Sequence, residues 1–327
     1  MSTQSTSPYL KALAELMSER PEVVCVTCGE QAQSQLEERA PNLPQGLIAL
    51  PHAPSAAVAF CAGLAREGMR PFLHAQASSL IRGGYEMILT QLSAPCLPVR
   101  LIGLDAGLSH EGGLGAQAVD DLSALATLPQ MSVFEAGDQG ELLALPRLLD
   151  DINGPVYLRA TLDEAPVLFD EPPRLGHLRC IEEGEELVIV SAGRCTAEVL
   201  RLKDALKEAK FSVTHLHASE LSPLPTFELK ERLEERSFRA IITMEEHLSP
   251  GPLSSGVSAL LSESHELKSA PVHVPLALHQ TFAQGGQPAY LRRKYGVDAG
   301  ALLAAIERSL KRRVGVTVSE LPSSAWR

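Results

Sequence analysis

The side chains able to do chemistry are thinly spread through this 327-residue chain. Cys25 and Cys28 form a CVTC pair, the spacing of a redox dithiol or half of a metal site. No second pair follows to complete a metal site. The run VVCVTC itself reads as a strand, whereas a redox CxxC opens the helix after a strand. The six cysteines, at 25, 28, 61, 96, 180 and 195, therefore read as small buried thiols of a reducing cytoplasm. Glu30, His52, His74, His110 and Glu111 are residue types that move protons. His74, flanked by apolar residues, fits a satisfied core or interface position better than a catalytic one. Glu245, Glu246 and His247 end a strand-like run and read as a capped loop at a subunit contact. VSAGRCTAEV, residues 190–199, tempts with a nucleotide-binding turn. It holds one glycine where a pyrophosphate needs GxGxxG, so dinucleotide binding is excluded there.

The elements that must position these residues come in two alternating series. A helix at 9–19 opens the fold, with apolar residues on one face. Short apolar runs at 23–28, 46–50, 70–75, 99–104, 131–136 and 155–160 predict strands, and stretches such as 55–67 and 83–92 predict helices between them. Residues 165–184, rich in proline and charge, read as a linker. Beyond it, strands are predicted at 185–193, 211–218, 239–246 and 271–278, with helices at 196–209, 227–236, 257–264 and 299–311. Strands apolar on both faces and alternating with helices predict α/β architecture: two doubly wound domains with mostly parallel sheets.

Composition narrows the function classes. A net charge of −11, with no basic footprint, disfavours nucleic acid and anionic membrane surfaces. The first residues lack the basic-then-apolar order of a signal peptide. Residues 46–65 carry no formal charge and are long enough to span a bilayer. Pro51, His52 and Pro54 interrupt them, so they predict a buried strand, a turn and a small-residue helix. Pro54 suits the first turn of that helix, where its missing N–H costs nothing.

Several segments, in order, resemble the C-terminal section of transketolase-type thiamine diphosphate enzymes. They are AGLAREGMRPF (62–72), LPVRLIGLDAGLSHEGG (97–113), the stretch 118–142, GPVYLRA (154–160), MEEHLSPGPLSSGV (244–257) and YLRRKYGVDAGALLAAI (290–306). Deoxyxylulose-phosphate synthases and, more distantly, 2-oxoacid dehydrogenase β subunits share this section. The resemblance implies a pyrimidine-binding-like domain over 1–168, a linker over 169–184 and a transketolase C-terminal-like domain over 185–327. It implies that thiamine diphosphate and Mg²⁺ would be held only together with a partner, because the family's GDG motif and asparagine lie in a separate N-terminal section. That section, as a second subunit, or a second copy of this chain is the implied partner, and the chain alone is expected to bind neither cofactor nor metal.

The resemblance also marks where the family's site residues would fall. Pro54 stands at the glutamate that activates the cofactor. Ser78 and Ser79 stand where an aromatic ring stacks on the pyrimidine. Gly112 and Ala116 replace an aspartate and a histidine near substrate, and Leu162 replaces an arginine that often holds substrate phosphate; Arg159 matches the first arginine of that strand. Glu30 resembles an acidic position near the family's subunit interface, and His52, His74, His110 and Glu111 lie on segments that would face the old pocket. The expectation is a subunit that is non-catalytic or dependent on a partner. An active ketol transferase with another activating residue is the alternative, and a homodimeric small-ligand module a third.

Overall fold

The computed structural model describes residues 7–40, 43, 47–162, 165–264, 270–279 and 281–324. Gly46, the first residue of one predicted strand, lies outside them. The first half runs α1 (Pro8–Glu19), β1 (Val23–Cys28), α2 (Glu30–Arg39), β2 (Leu47–Leu50), α3 (Pro54–Arg66), β3 (Arg70–Gln76), α4 (Ala77–Met87), β4 (Arg100–Leu104), α5 (Asp121–Ala126), β5 (Ser132–Glu135), α6 (Gln139–Asp150) and β6 (Val156–Arg159). The second half runs β7 (Arg179–Glu182), β8 (Leu187–Ala192), α7 (Cys195–Leu200), α8 (Lys203–Glu208), β9 (Val213–Ala218), β10 (Glu220–Ser222), α9 (Phe227–Glu235), β11 (Ala240–Leu248), α10 (Pro252–Glu263), β12 (Val272–Leu278), α11 (Pro288–Tyr295) and α12 (Ala299–Leu310).

Two sheets result, as the alternation predicts. The first has the order β10-β5-β6-β4-β3-β1-β2, and all its pairs are parallel except β10 with β5. The second has the order β12-β11-β8-β9-β7, parallel except for β7 with β9. Consecutive strand residues point to opposite faces, and both faces of the first sheet are covered. Cys25, Phe72, Phe134 and Leu158 pack under α1 and α6 in one core. Val26, Leu73, Leu101 and Tyr157 enter another, which continues through Leu221 of β10 to Val188, Leu216 and Ile241 of the second sheet. The two halves therefore share one apolar core.

The departures from the predicted elements have local causes. Part of the predicted linker forms β7, whose alternating half-exposed residues suit an antiparallel edge. β10 leaves the second half to pair with β5 of the first sheet, Glu220 opposite Phe134. The helix predicted at 83–92 starts at Ala77 and passes into a π-helical turn at 88–93. That predicted at 196–209 is divided into α7 and α8. α10 begins at Pro252, inside a segment that reads as a loop, because Pro occupies N1 and the Ser254 hydroxyl accepts the Gly251 N–H at 3.1 Å. The closing segment 290–306 holds two helices. Gly296, at φ 71°, ends α11, and the Asp298 carboxylate caps α12 by accepting the Ala301 N–H at 3.0 Å. Among the described residues no helix is long and apolar enough to cross a membrane.

Candidate functional site

In open parallel sheets the carboxyl ends of the strands form the natural binding edge. Here the ends of β1, β2 and β3 bring Gly29, the turn before α3 and the start of α4 together. Gly29 has φ 93°, and a Cβ there would lie 3.0 Å from Nδ1 of His52, so only glycine fits this turn. His52 is exposed and its Nε2 lies 3.3 Å from the Ser79 hydroxyl, while Ser78 is buried. Pro54 occupies the first turn of α3 as expected, and Ala57 N–H still reaches Ala53 O at 2.9 Å. Its ring packs over Gly83, where a Cβ would meet it at 3.1 Å, and the neighbouring Ser55 hydroxyl donates to Gly83 O. Pro54, Ser55, Ser79 and His52 thus form one contiguous edge without a carboxylate among them. Glu30 sits exposed at the first turn of α2.

His74 does not reach this edge. It is fully buried in β3, its Nδ1–H donating to Val26 O at 3.2 Å and its Nε2 accepting from the Tyr9 hydroxyl at 2.8 Å. Burial pushes its pKa down to about 4, so it stays neutral. The pocket role implied for His74 is therefore corrected to a core one, because both ring nitrogens are committed inside the fold. His110 and Glu111 lie in the loop after β4. The Gly112 N–H donates to His110 Nδ1 at 3.0 Å, and the Glu111 carbonyl accepts from Gly286 at 3.0 Å. Gly112 is exposed and Ala116 half-buried beside it, so neither adds a reactive group. Leu162 is buried in the core beneath α1 and α6.

A second cluster lies where the halves meet. Arg159, at the end of β6, is almost fully buried. Its Nε donates to Asp121 at 2.8 Å, Nη1 to Glu135 and to Glu246 O at 3.1 Å each, and Nη2 to Ala118 O at 3.1 Å and to the other Asp121 oxygen. All five guanidinium N–H groups are used, so Arg159 cannot also grip a phosphate. The pocket role implied for it is corrected accordingly: it is a structural bridge between the halves. Burial alone would raise the Asp121 carboxyl, but the Arg159 guanidinium holds it below its usual range. Glu135, with less of that compensation, is pushed up by burial, and its second oxygen has no hydrogen-bond partner among the described residues. A small cavity of about 120 Å³ opens between these groups, lined by Asp105, Ser109, Glu135, Arg159, Arg194 and Glu246 among others.

The Glu245–Glu246–His247 triplet is buried within β11, which corrects the expectation of a capped loop at a subunit contact, and it caps and ties neighbouring elements. Glu245 accepts the Leu253 and Ser254 N–H groups at 3.1 and 2.9 Å, at the start of α10. Burial nonetheless pushes its carboxyl up to about 7. Glu246 pairs with Arg292 at 2.7 Å and accepts the Leu108 N–H at 2.6 Å. His247 Nδ1–H donates to Leu248 O at 2.8 Å while Nε2 accepts the Ser123 N–H at 3.2 Å, an arrangement made by the neutral ring. Sequence reasoning missed Asp121, Glu135 and Arg292. The available signal was charge set within apolar runs, AVDDLSAL, SVFEA and YLRRKYG. Among the described residues no cluster of three or more His, Cys, Asp and Glu could hold a metal ion.

Comparison with known proteins agrees with this fold. Residues 176–302 match the family model of the transketolase C-terminal domain. The chain is 27% identical over 297 residues to a 1-deoxy-D-xylulose-5-phosphate synthase of Dictyoglomus thermophilum, covering 90% of this chain and 47% of that protein. It is 29% identical over 301 residues to the synthase of Rhodobacter capsulatus, covering 90% and 46%. It thus spans about half the length of these relatives. An uncharacterised transketolase family protein of Sinorhizobium fredii is 25% identical over 252 residues, covering 76% of this chain and 72% of that protein. A solved split-gene transketolase, described as an inactive β4 tetramer, superposes with a TM-score of 0.80 at 27% identity, covering 94% of this chain and 98% of that one. The chain is therefore similar along nearly its whole length to the C-terminal section of transketolase-type enzymes, and most of its second half matches the model of their C-terminal domain.

Proposed function

We propose that this chain is the C-terminal-section subunit of a split transketolase-type enzyme, and that it no longer activates thiamine diphosphate by itself. The observation that carries the reading is the edge built from Pro54, Ser55, Ser79 and His52. Thiamine diphosphate supplies an aminopyrimidine that must be hydrogen-bonded by a carboxylate before it can serve as a base. Proline offers that ring neither an acceptor nor a proton. A charge-assisted hydrogen bond of this kind is worth roughly 1.5–3 kcal/mol net, and more when aimed at developing charge in a dry site. The residues here do not fit that task. The chain acts instead as a folded half of an assembly whose partner supplies the diphosphate and Mg²⁺ site.

The test is calorimetry of the purified chain with thiamine diphosphate and Mg²⁺, alone and with a diphosphate-binding N-terminal-section subunit. Alone, no saturable binding and no ketol-transfer product are expected; tight binding with turnover would overturn the proposal. In the complex, Pro54→Glu is expected to raise turnover if the site is degenerate. No change in an already active complex would favour activation by another residue. Self-association of the chain is a second reading, supported by the 94% overlap with a neighbour described as a β4 tetramer; sedimentation of the chain alone tests it. The described cysteines are all free thiols, but only Cys25, Cys28, Cys61 and Cys195 are buried, while Cys96 is half-buried and Cys180 exposed, which corrects the expectation of six buried thiols; the cytoplasmic setting is proposed from the sequence.

A further inference from the structure

The second half holds a cavity that none of the site residues above touches. It has a volume of about 280 Å³ and lies against the face of the second sheet covered by α7 and α8. Its floor is apolar, built from Ile189, Val199, Leu206 and Val213, all buried. Three lysines, Lys203, Lys207 and Lys210, stand at its exposed rim with two carboxylates, Glu182 and Glu183, the second of which is paired with Arg232 and Arg236. Lys203 pairs with Glu182 at 3.1 Å, whereas Lys207 and Lys210 make no ion pair among the described residues. The volume sits just under the range of about 300–1,000 Å³ typical of drug-sized ligands, so the occupant is small.

One polar group enters this apolar floor. His215 is 4% exposed and lines the cavity. Its Nε2 lies 2.8 Å from the Ser191 hydroxyl, which lies 2.8 Å from that of Thr196, in turn 2.7 Å from Nδ1 of His217. His217 closes the chain on the Glu141 carboxylate of the first half at 3.1 Å. Every nitrogen in this relay is used except Nδ1 of His215, which has no hydrogen bond among the described residues. The relay sets the polarity of the ring: the Glu141 carboxylate only accepts, so the protons run from His215 Nε2–H through Ser191, Thr196 and His217 toward it, and Nδ1 of His215 is left as an acceptor. A ligand hydroxyl can donate to it. Burial lowers the His215 pKa to about 3, so the ring is neutral and adds no charge to the floor.

We propose that this cavity is a binding site for a small hydroxylated organic anion, its apolar body on Ile189, Leu206 and Val213, its anionic group at Lys207 and Lys210, and its hydroxyl on Nδ1 of His215. The site is independent of the Pro54 edge and stands whether or not the chain activates a cofactor. 4-Hydroxyphenylacetate carries all three features, phenylacetate lacks the hydroxyl, and 4-methylphenol lacks the anion.

Titration of the full chain, followed by amide NMR shifts and calorimetry, tests the assignment. 4-Hydroxyphenylacetate is expected to bind saturably, shifting amides of α7, α8 and β9. Each simpler analogue should bind about five- to tenfold more weakly, the worth of one hydrogen bond or one partly exposed ion pair. The surface double variant Lys207→Ala/Lys210→Ala, which touches no core residue, should weaken 4-hydroxyphenylacetate but not 4-methylphenol. His215→Phe should remove the preference for 4-hydroxyphenylacetate over phenylacetate, and the lysine variant keeps the test decisive should that protein fail to fold. No saturable binding at millimolar concentration, shifts confined to other elements, or lysine replacement without effect would each overturn the proposal.

Discussion

Replacing Arg159 by methionine keeps most of the side-chain volume and removes the charge that bridges the halves. Asp121 is then left without its guanidinium at a fully buried position, and Glu135 loses the same partner. Removing one member of a buried pair costs about 3–5 kcal/mol. A second route gives a similar size. An orphaned, buried Asp121 would take up a proton, and moving an ordinary carboxyl from its pKa near 3.9 to neutrality at pH 7 costs about three units at 1.4 kcal/mol each, roughly 4 kcal/mol. At pH 5 the same step costs only about 1.5 kcal/mol. In the native protein the folded Asp121 pKa is depressed, so its contribution is intact above the unfolded pKa and does not change between pH 5 and pH 7. In the variant the folded pKa is raised, so stability falls as pH rises over that window. Urea unfolding of both proteins at the two pH values reads this directly. The gap should be about 4 kcal/mol at pH 7 and shrink toward 1–2 kcal/mol at pH 5, and Asp121→Asn should partly rescue Arg159→Met at pH 7. A gap below about 1 kcal/mol, or one equal at both pH values, would refute the reasoning.

Other perturbations follow from the same geometry. Tyr9→Phe leaves Nε2 of His74 without a donor in the core and should cost about 1–3 kcal/mol in urea unfolding. The Glu245 carboxyl has its folded pKa raised to about 7, so the stability it contributes is full below the unfolded pKa and is lost as pH rises to 7. Glu245→Gln should therefore gain on the native protein between pH 5 and pH 8, by up to about 3 kcal/mol, in midpoints measured at each pH. Gly103→Ala drives a Cβ into the Tyr157 hydroxyl, which would have to leave Asp121; a loss of about 1–3 kcal/mol is expected by thermal unfolding.

The parallel frame was readable because strands apolar on both faces, such as VVCVTC and RLIGL, alternate with helical periods. β7 and β10 were not. Three or four half-exposed residues carry no period, and what makes them strands is the open edge of another strand far along the chain. α2, EQAQSQLEER, escaped because only Ala32 and Leu36 are buried. At the candidate site, the place of Pro54 at a helix start and the core place of His74 followed from their neighbours alone. Arg159 did not. A lone arginine after an apolar strand reads the same whether it faces a ligand or a carboxylate. The deciding partners, Asp121 and Glu135, lie 38 and 24 residues away and are brought together only by the sheet.

β10 has a consequence for how such a chain is made and divided. While the protein emerges from the ribosome, β5 remains an open edge until the segment through Ser222 has been translated. For that interval the nascent sheet exposes a pairing edge beside apolar Phe134 and Val133. A gene cut within 169–184 would yield a first product permanently in that state. The borrowed strand would leave with the second product, and the fragments would have to be made together to meet in time. Recombination that exchanged only one half would have to supply a new edge strand, which ties the inheritance of the two halves to each other.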